Sequence, residues 1–141
     1  MMVSTKGRYA LRVMIDLAEE KSSGYVAMKE VAARQEISLK YLERILPLLV
    51  ADRLVEGVHG KGGGYRLTRD ASEYTIGEIL RCAEGDLAPV NCLECGAEPC
   101  KRTAECRTLP MWTELNRRIN EYLDSVKLSD LMKEENADSF I

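Results

Sequence analysis

Four of the five cysteines in this sequence fall in one run, Asn91–Cys106, spaced Cys92-x2-Cys95-x4-Cys100-x5-Cys106. The run holds Gly96 and Pro99, carries charges of both signs and has no apolar periodicity. So short a segment cannot bury its cysteines as ordinary small hydrophobes. Thiolates bind soft and borderline metals, and cysteines on a loop can converge on one centre without distorting a helix or strand. The run therefore reads first as an iron–sulfur site. Zinc is the serious rival, although it favours two close pairs and only Cys92 and Cys95 form a Cys-x2-Cys pair. Redox-active thiols are the third reading. Structural disulfides need an oxidising compartment, yet the opening Met-Met-Val-Ser-Thr-Lys has no apolar stretch or cleavage site, and five cysteines leave one unpaired. Cys82 stands apart in the periodic segment Ile76–Ala83 and reads as a core residue.

The elements before the loop are mostly short helices. Ser4 or Thr5 can cap a helix running to about Lys21, with Tyr9, Ala10, Val13, Met14, Leu17 and Ala18 on one stripe. Lys6 and Arg8 open it, where they oppose the helix dipole; a phosphate partner would explain them. Tyr25–Ala27 suits a short strand and Met28–Gln35 a short helix. Glu36-Ile37 makes a turn, and Ser38 can cap a helix with Leu42, Ile45 and Leu46 inward. The pair reads as a helix-turn-helix, in which the first turns of the second helix meet base edges. Ser38, Lys40, Tyr41, Glu43 and Arg44 lie there. Pro47 is expected to kink or end that helix. Leu54–Val58 and Tyr65–Thr68 read as two strands around Gly60-Lys61-Gly62-Gly63-Gly64. No helix follows those glycines, which excludes a nucleotide phosphate loop. A glycine-rich hairpin directly after a helix-turn-helix is a wing, with His59 and Lys61 as its polar groups.

Thr75-Ile76-Gly77-Glu78 has the spacing of a capping box and starts a helix to about Ala83. After the cysteines, Thr108 and Pro110 begin a longer helix whose stripe is Met111, Trp112, Leu115, Ile119, Tyr122, Leu123 and Val126. So long an apolar stripe suits a homodimer seam, as does a winged helix reading a two-fold site. A last short helix is expected from Ser129 to about Glu134, with a frayed end.

Composition sets bounds on this reading. The 141 residues suit one domain or a small domain with an extension, and 45% hydrophobic with 30% charged residues is ordinary for a globular chain. No apolar run approaches the roughly 20 residues of a membrane helix, so no membrane partner and a cytoplasmic location are expected. The net charge is −3, but residues 1–70 carry 12 Lys/Arg against 9 Asp/Glu, and residues 71–141 carry 8 against 14. A basic front and an acidic back fit a DNA-facing N-terminal half. One histidine and no convergent carboxylate pair or nucleophile argue against an enzyme.

These residues resemble the Rrf-type winged-helix regulators, a family that includes IscR, NsrR and CymR. The likeness rests on Ser4-Thr-Lys-Gly-Arg-Tyr-Ala, Ile37-Ser-Leu-Lys-Tyr-Leu-Glu, Gly62-Gly-Gly-Tyr, Asp70-Ala-Ser, Ile76-Gly-Glu-Ile-Leu and Trp112. It implies a dimeric regulator of transcription that binds a double-stranded DNA operator. The fold expected is mainly α with a small β-hairpin wing. Residues 1–85 would form the DNA-binding unit, 86–109 the cysteine loop, 110–135 the dimerisation helix with a short terminal helix, and 136–141 a flexible tail. Trp112, Leu115, Ile119, Tyr122 and Leu123 would line the dimer interface. The resemblance further implies a cluster on Cys92, Cys100 and Cys106, 2Fe–2S ahead of 4Fe–4S, with Cys95 the alternative ligand and zinc the alternative occupant. It favours a sensor of iron–sulfur status, with a nitric-oxide or redox sensor next. Three departures from the cluster-binding pattern stand out: Leu109 replaces the histidine after the last cysteine, His59, with Lys61 beside it, replaces the wing arginine, and Cys95 is additional.

Overall fold

The computed structural model describes residues 3–94, 96–98 and 101–133. The elements are α1 (Thr5–Ala18), α2 (Met28–Gln35), α3 (Leu39–Ala51), β1 (Val55–Val58), β2 (Gly64–Leu67), α4 (Ile76–Glu84) and α5 (Leu109–Ser125). Short 3-10 turns lie at Ala71–Glu73, Asn91–Leu93 and Leu128–Leu131. This is a winged helix-turn-helix with a long additional helix, as the sequence led one to expect.

The core forms where the helical stripes meet. Ala10, Val13, Met14 and Leu17 of α1 lie with Leu42, Ile45 and Leu49 of α3 and Ile79 and Leu80 of α4, all buried. Each of the Val, Leu, Ile and Met side chains among them contributes about 1.5–3 kcal/mol on burial. α1 and α2 are also joined by polar groups. The buried Asp16 carboxylate accepts from Arg34 at 2.6 and 3.1 Å and from the Gln35 amide at 2.9 Å. Tyr74 is fully buried; its hydroxyl donates to the Leu54 carbonyl at 2.7 Å and accepts from the Thr68 and Arg69 amides at 3.0 and 3.1 Å. It thereby joins both ends of the wing to the core.

Several local expectations need correction. α1 ends at Ala18, three residues short of Lys21, just before the Ser22-Ser23-Gly24 break. Tyr25–Ala27 forms no strand; Val26 makes a single bridge to Tyr65. α3 continues through Pro47 to Ala51. Pro47 and Glu43, four residues before it, both lie on the exposed side of the helix. Only half of the capping box forms. Thr75 Oγ1 accepts from the Glu78 amide at 3.0 Å, whereas the Glu78 carboxylate is held by Arg69.

Val126 is not on α5. The helix ends at Ser125, and Val126–Leu128 runs extended beside Tyr74–Ile76, with Ile76 N–H to the Val126 carbonyl at 2.9 Å and Leu128 N–H to the Tyr74 carbonyl at 3.0 Å. The expected last helix is the 3-10 turn Leu128–Leu131. Glu134, where that helix was expected to end, and the tail 136–141 lie outside the described residues.

Candidate nucleic-acid interface and cysteine loop

Ser38 has extended backbone and its Oγ accepts from the Tyr41 amide at 3.1 Å, so it caps α3 as expected. The cap leaves Lys40, Glu43 and Arg44 exposed on the first turns. Tyr41 is half-buried. Its ring meets Tyr9 of α1 with centroids 5.2 Å apart and planes at 75°, and the Arg44 guanidinium sits 6.0 Å from its centroid. Lys6 and Arg8, in the first turn of the same helix α1 as Tyr9, are both exposed. The start of α1 and the first turns of α3 are thus brought together through an aromatic pair.

The sequence reading missed Arg12. Its guanidinium lies 5.1 Å from the Tyr9 ring centroid, and it donates to the Gln35 side chain at 3.2 Å and to the Gln35 carbonyl. A cation there meets the carbonyl end of α2 and holds the turn into α3. The signal was available: Arg12 lies at i+3 from Tyr9, close enough to share its face.

The wing pairs Val55 with Leu67 and Val58 with Gly64 in antiparallel register. His59 and Lys61 are exposed at its tip. Gly62 adopts φ +78 with open space around it, as a tight reversal needs. Gly64 serves the fold: a Cβ there would lie 2.2 Å from the Val26 carbonyl oxygen, where the hairpin is bridged to the body.

In the cysteine loop, Cys92 is exposed on the turn Asn91–Leu93, and Cys106 is half-buried just before α5. Cys95 and Cys100 lie outside the described residues. Hydrogen bonds from the Thr108 side chain and backbone hold the Cys106 thiol below the ordinary thiol range, with the nearby Arg102 charge helping. Cys82 behaves oppositely. Burial, with a hydrogen bond to Asp52, pushes it up to about 12, and its Sγ lies 3.2 Å from the Leu48 carbonyl. Cys106 and Cys82 are thus pushed in opposite directions by their surroundings.

α5 has no fully buried residue. At 100° per residue its single expected stripe divides in two. Trp112, Ile119 and Leu123 are half-buried, and the latter two pack on the core of their own domain. Met111, Leu115 and Tyr122 lie beside them and are bare, at 54, 40 and 61% exposure. Arg81 of α4 fixes the helix by donating to Asn120 at 2.9 Å and Asp124 at 2.8 Å. Among the described residues no helix is long and apolar enough to cross a membrane.

Known proteins share this architecture over nearly the whole chain. A family model described as Rrf2, iron-dependent transcriptional regulator, matches residues 3–134. The transcriptional regulator IscR of Sodalis glossinidius is 36% identical over 135 residues, covering 96% of this chain and 81% of that protein. The structure of CymR, the global cysteine regulator of B. subtilis, matches with 37% identity and TM-score 0.74 over 93% of this chain and 95% of that one. IscR of T. potens matches with 34% identity and TM-score 0.72 over 93% and 85%. These relatives regulate transcription and are not enzymes. The chain belongs to the Rrf2 family of winged-helix, DNA-binding transcriptional regulators.

Proposed function

We propose that the protein is a cytoplasmic, homodimeric regulator that senses iron–sulfur status through a cluster held by Cys92, Cys100 and Cys106. The observation that carries this reading is the cysteine run itself, attached between a winged helix and a long helix with a bare apolar face. The donor chemistry fits: Cys92 is open to solvent, and the Thr108 hydrogen bonds favour the thiolate of Cys106. A bound cluster would supply a centre whose gain, loss or oxidation can be sensed; 2Fe–2S is favoured over 4Fe–4S. Leu109 offers no ligand, so the fourth position falls to Cys95 or to a group outside the loop. On the DNA side, Ser38, Lys40, Tyr41, Glu43 and Arg44 read base edges, Lys6 and Arg8 hold phosphates, and His59 and Lys61 meet the backbone or minor groove. Met111, Leu115 and Tyr122 form the exposed part of the dimer seam.

The test is anaerobic reconstitution of the wild type and four single Cys→Ala proteins, with absorption spectra and iron and sulfide counts. A brown wild type is expected, with loss of colour in the Cys92, Cys100 and Cys106 variants and retention in the Cys95 variant. Four brown variants overturn the assignment. A colourless wild type that holds zinc moves the reading to a zinc regulator. The depressed Cys106 thiol favours a second reading, a thiol switch, which predicts a colourless, metal-free protein whose operator binding changes on peroxide treatment.

A further inference from the structure

α1 begins with two cations and no acidic residue in its first turn. The negative charge that this helix end favours arrives from another element. Glu84, the last residue of α4, places one carboxylate oxygen against three donors of the α1 start: the Gly7 amide at 2.7 Å, the Ser4 amide at 3.3 Å and the Ser4 hydroxyl at 2.5 Å. Ser4 Oγ in turn accepts from the Lys6 amide at 3.2 Å. Gly7 is buried, and a Cβ there would lie 2.6 Å from that same Glu84 oxygen. Absence of a side chain at position 7 and presence of a carboxylate at position 84 are thus two halves of one contact. The Glu84 carboxylate stabilises the helix end, while Lys6 and Arg8 stay exposed, Arg8 donating to the Thr5 hydroxyl at 3.4 Å.

We infer that Glu84 is a positioning residue for DNA binding, locking the first turn of α1 so that Lys6 and Arg8 meet phosphates together. The inference rests on the DNA face proposed above.

The test compares salt titrations of binding to a labelled duplex of random sequence. The proteins are the wild type, Lys6→Ala/Arg8→Ala, Glu84→Ala, the triple variant, Glu84→Gln and Gly7→Ala. The double variant should lower the slope of log affinity against log salt by about two, one unit per phosphate contact. Glu84→Ala should lower both affinity and slope in the same direction, and the triple variant should lose no more than the double. Removing a carboxylate otherwise raises affinity for DNA, so this fall separates positioning from net charge. Gly7→Ala, which displaces the carboxylate while improving helix propensity, should copy Glu84→Ala; Glu84→Gln should fall between. Far-UV circular dichroism establishes that each protein is folded, and if Glu84→Ala is not, the Gly7 and Gln variants decide. A wild-type slope in Glu84→Ala and Gly7→Ala, or additive losses in the triple variant, overturns the inference alone. A wild-type slope in the double variant shows that Lys6 and Arg8 hold no phosphates, and overturns the inference together with that part of the DNA face.

Discussion

Tyr9 of α1 and Tyr41 of α3 meet edge to face with their ring centroids 5.2 Å apart. Such a pair contributes about 0.5–1.5 kcal/mol beyond the area it buries. Tyr9 also carries the Arg12 guanidinium on its ring. Tyr9→Leu should lower the urea midpoint and weaken operator binding without changing which bases are preferred. Equilibrium unfolding and a binding-site selection on the same protein check both parts.

The wing and the recognition turns should fail differently. Lys61→Ala is expected to weaken binding on all sequences and flatten the salt dependence by about one phosphate contact. Tyr41→Ala or Arg44→Ala should shift sequence preference, each costing roughly 1–3 kcal/mol where the side chain touches a base. Operator shifts identical to wild type in all three variants would remove these residues from the interface.

The division of α5 into two stripes offers a test of the proposed dimer that spares the fold. Leu115→Glu places a charge on the bare stripe and should yield a folded monomer by sedimentation, with weakened operator binding. Leu123→Glu strikes the stripe that packs on its own core and should lower thermal stability as well. A dimer unchanged by Leu115→Glu excludes that face as the seam.

Cys82 gives an alkaline signature. Its thiol is raised to about 12 from 9.0, mainly by burial, so the folded state holds its proton more tightly than the unfolded chain does. Its contribution to stability is complete below the unfolded value and declines as pH rises from about 9 towards 12. Cys82→Ala should flatten the stability profile over that window. In the native protein near neutral pH, iodoacetamide should modify Cys92 and Cys106 and spare Cys82, as read by peptide mass mapping.

The helix-turn-helix was legible because Leu42, Ile45 and Leu46 fall at helical spacing and Ser38 marks a cap. The wing was legible because its glycines stand between two runs of strand-forming residues. Long-range polar contacts were not. Glu84 with Gly7, Asp16 with Arg34, and Tyr74 with Leu54 join residues far apart in sequence, and local spacing carries no trace of such partners. Arg12 could have been seen beside Tyr9, but not its hold on Gln35. Pro47 did not end its helix, because a proline on the exposed side can be carried within a helix held by its buried face. The α5 stripe looked single because apolar residues alone do not reveal which neighbour covers them.

The extended pairing of Val126–Leu128 with Tyr74–Ile76 fixes one end of α5 at the start of α4. α5 spans 17 residues and α4 spans 9, so at 1.5 Å per residue they are about 25 and 13 Å long. Arg81 fastens the second half of α5, from Asn120 onward. In mechanical terms the helix is a strut footed at Val126. Cys106 lies three residues before the opposite end, at Leu109, so about 25 Å of helix separates the cysteine loop from the segment that leads into α4.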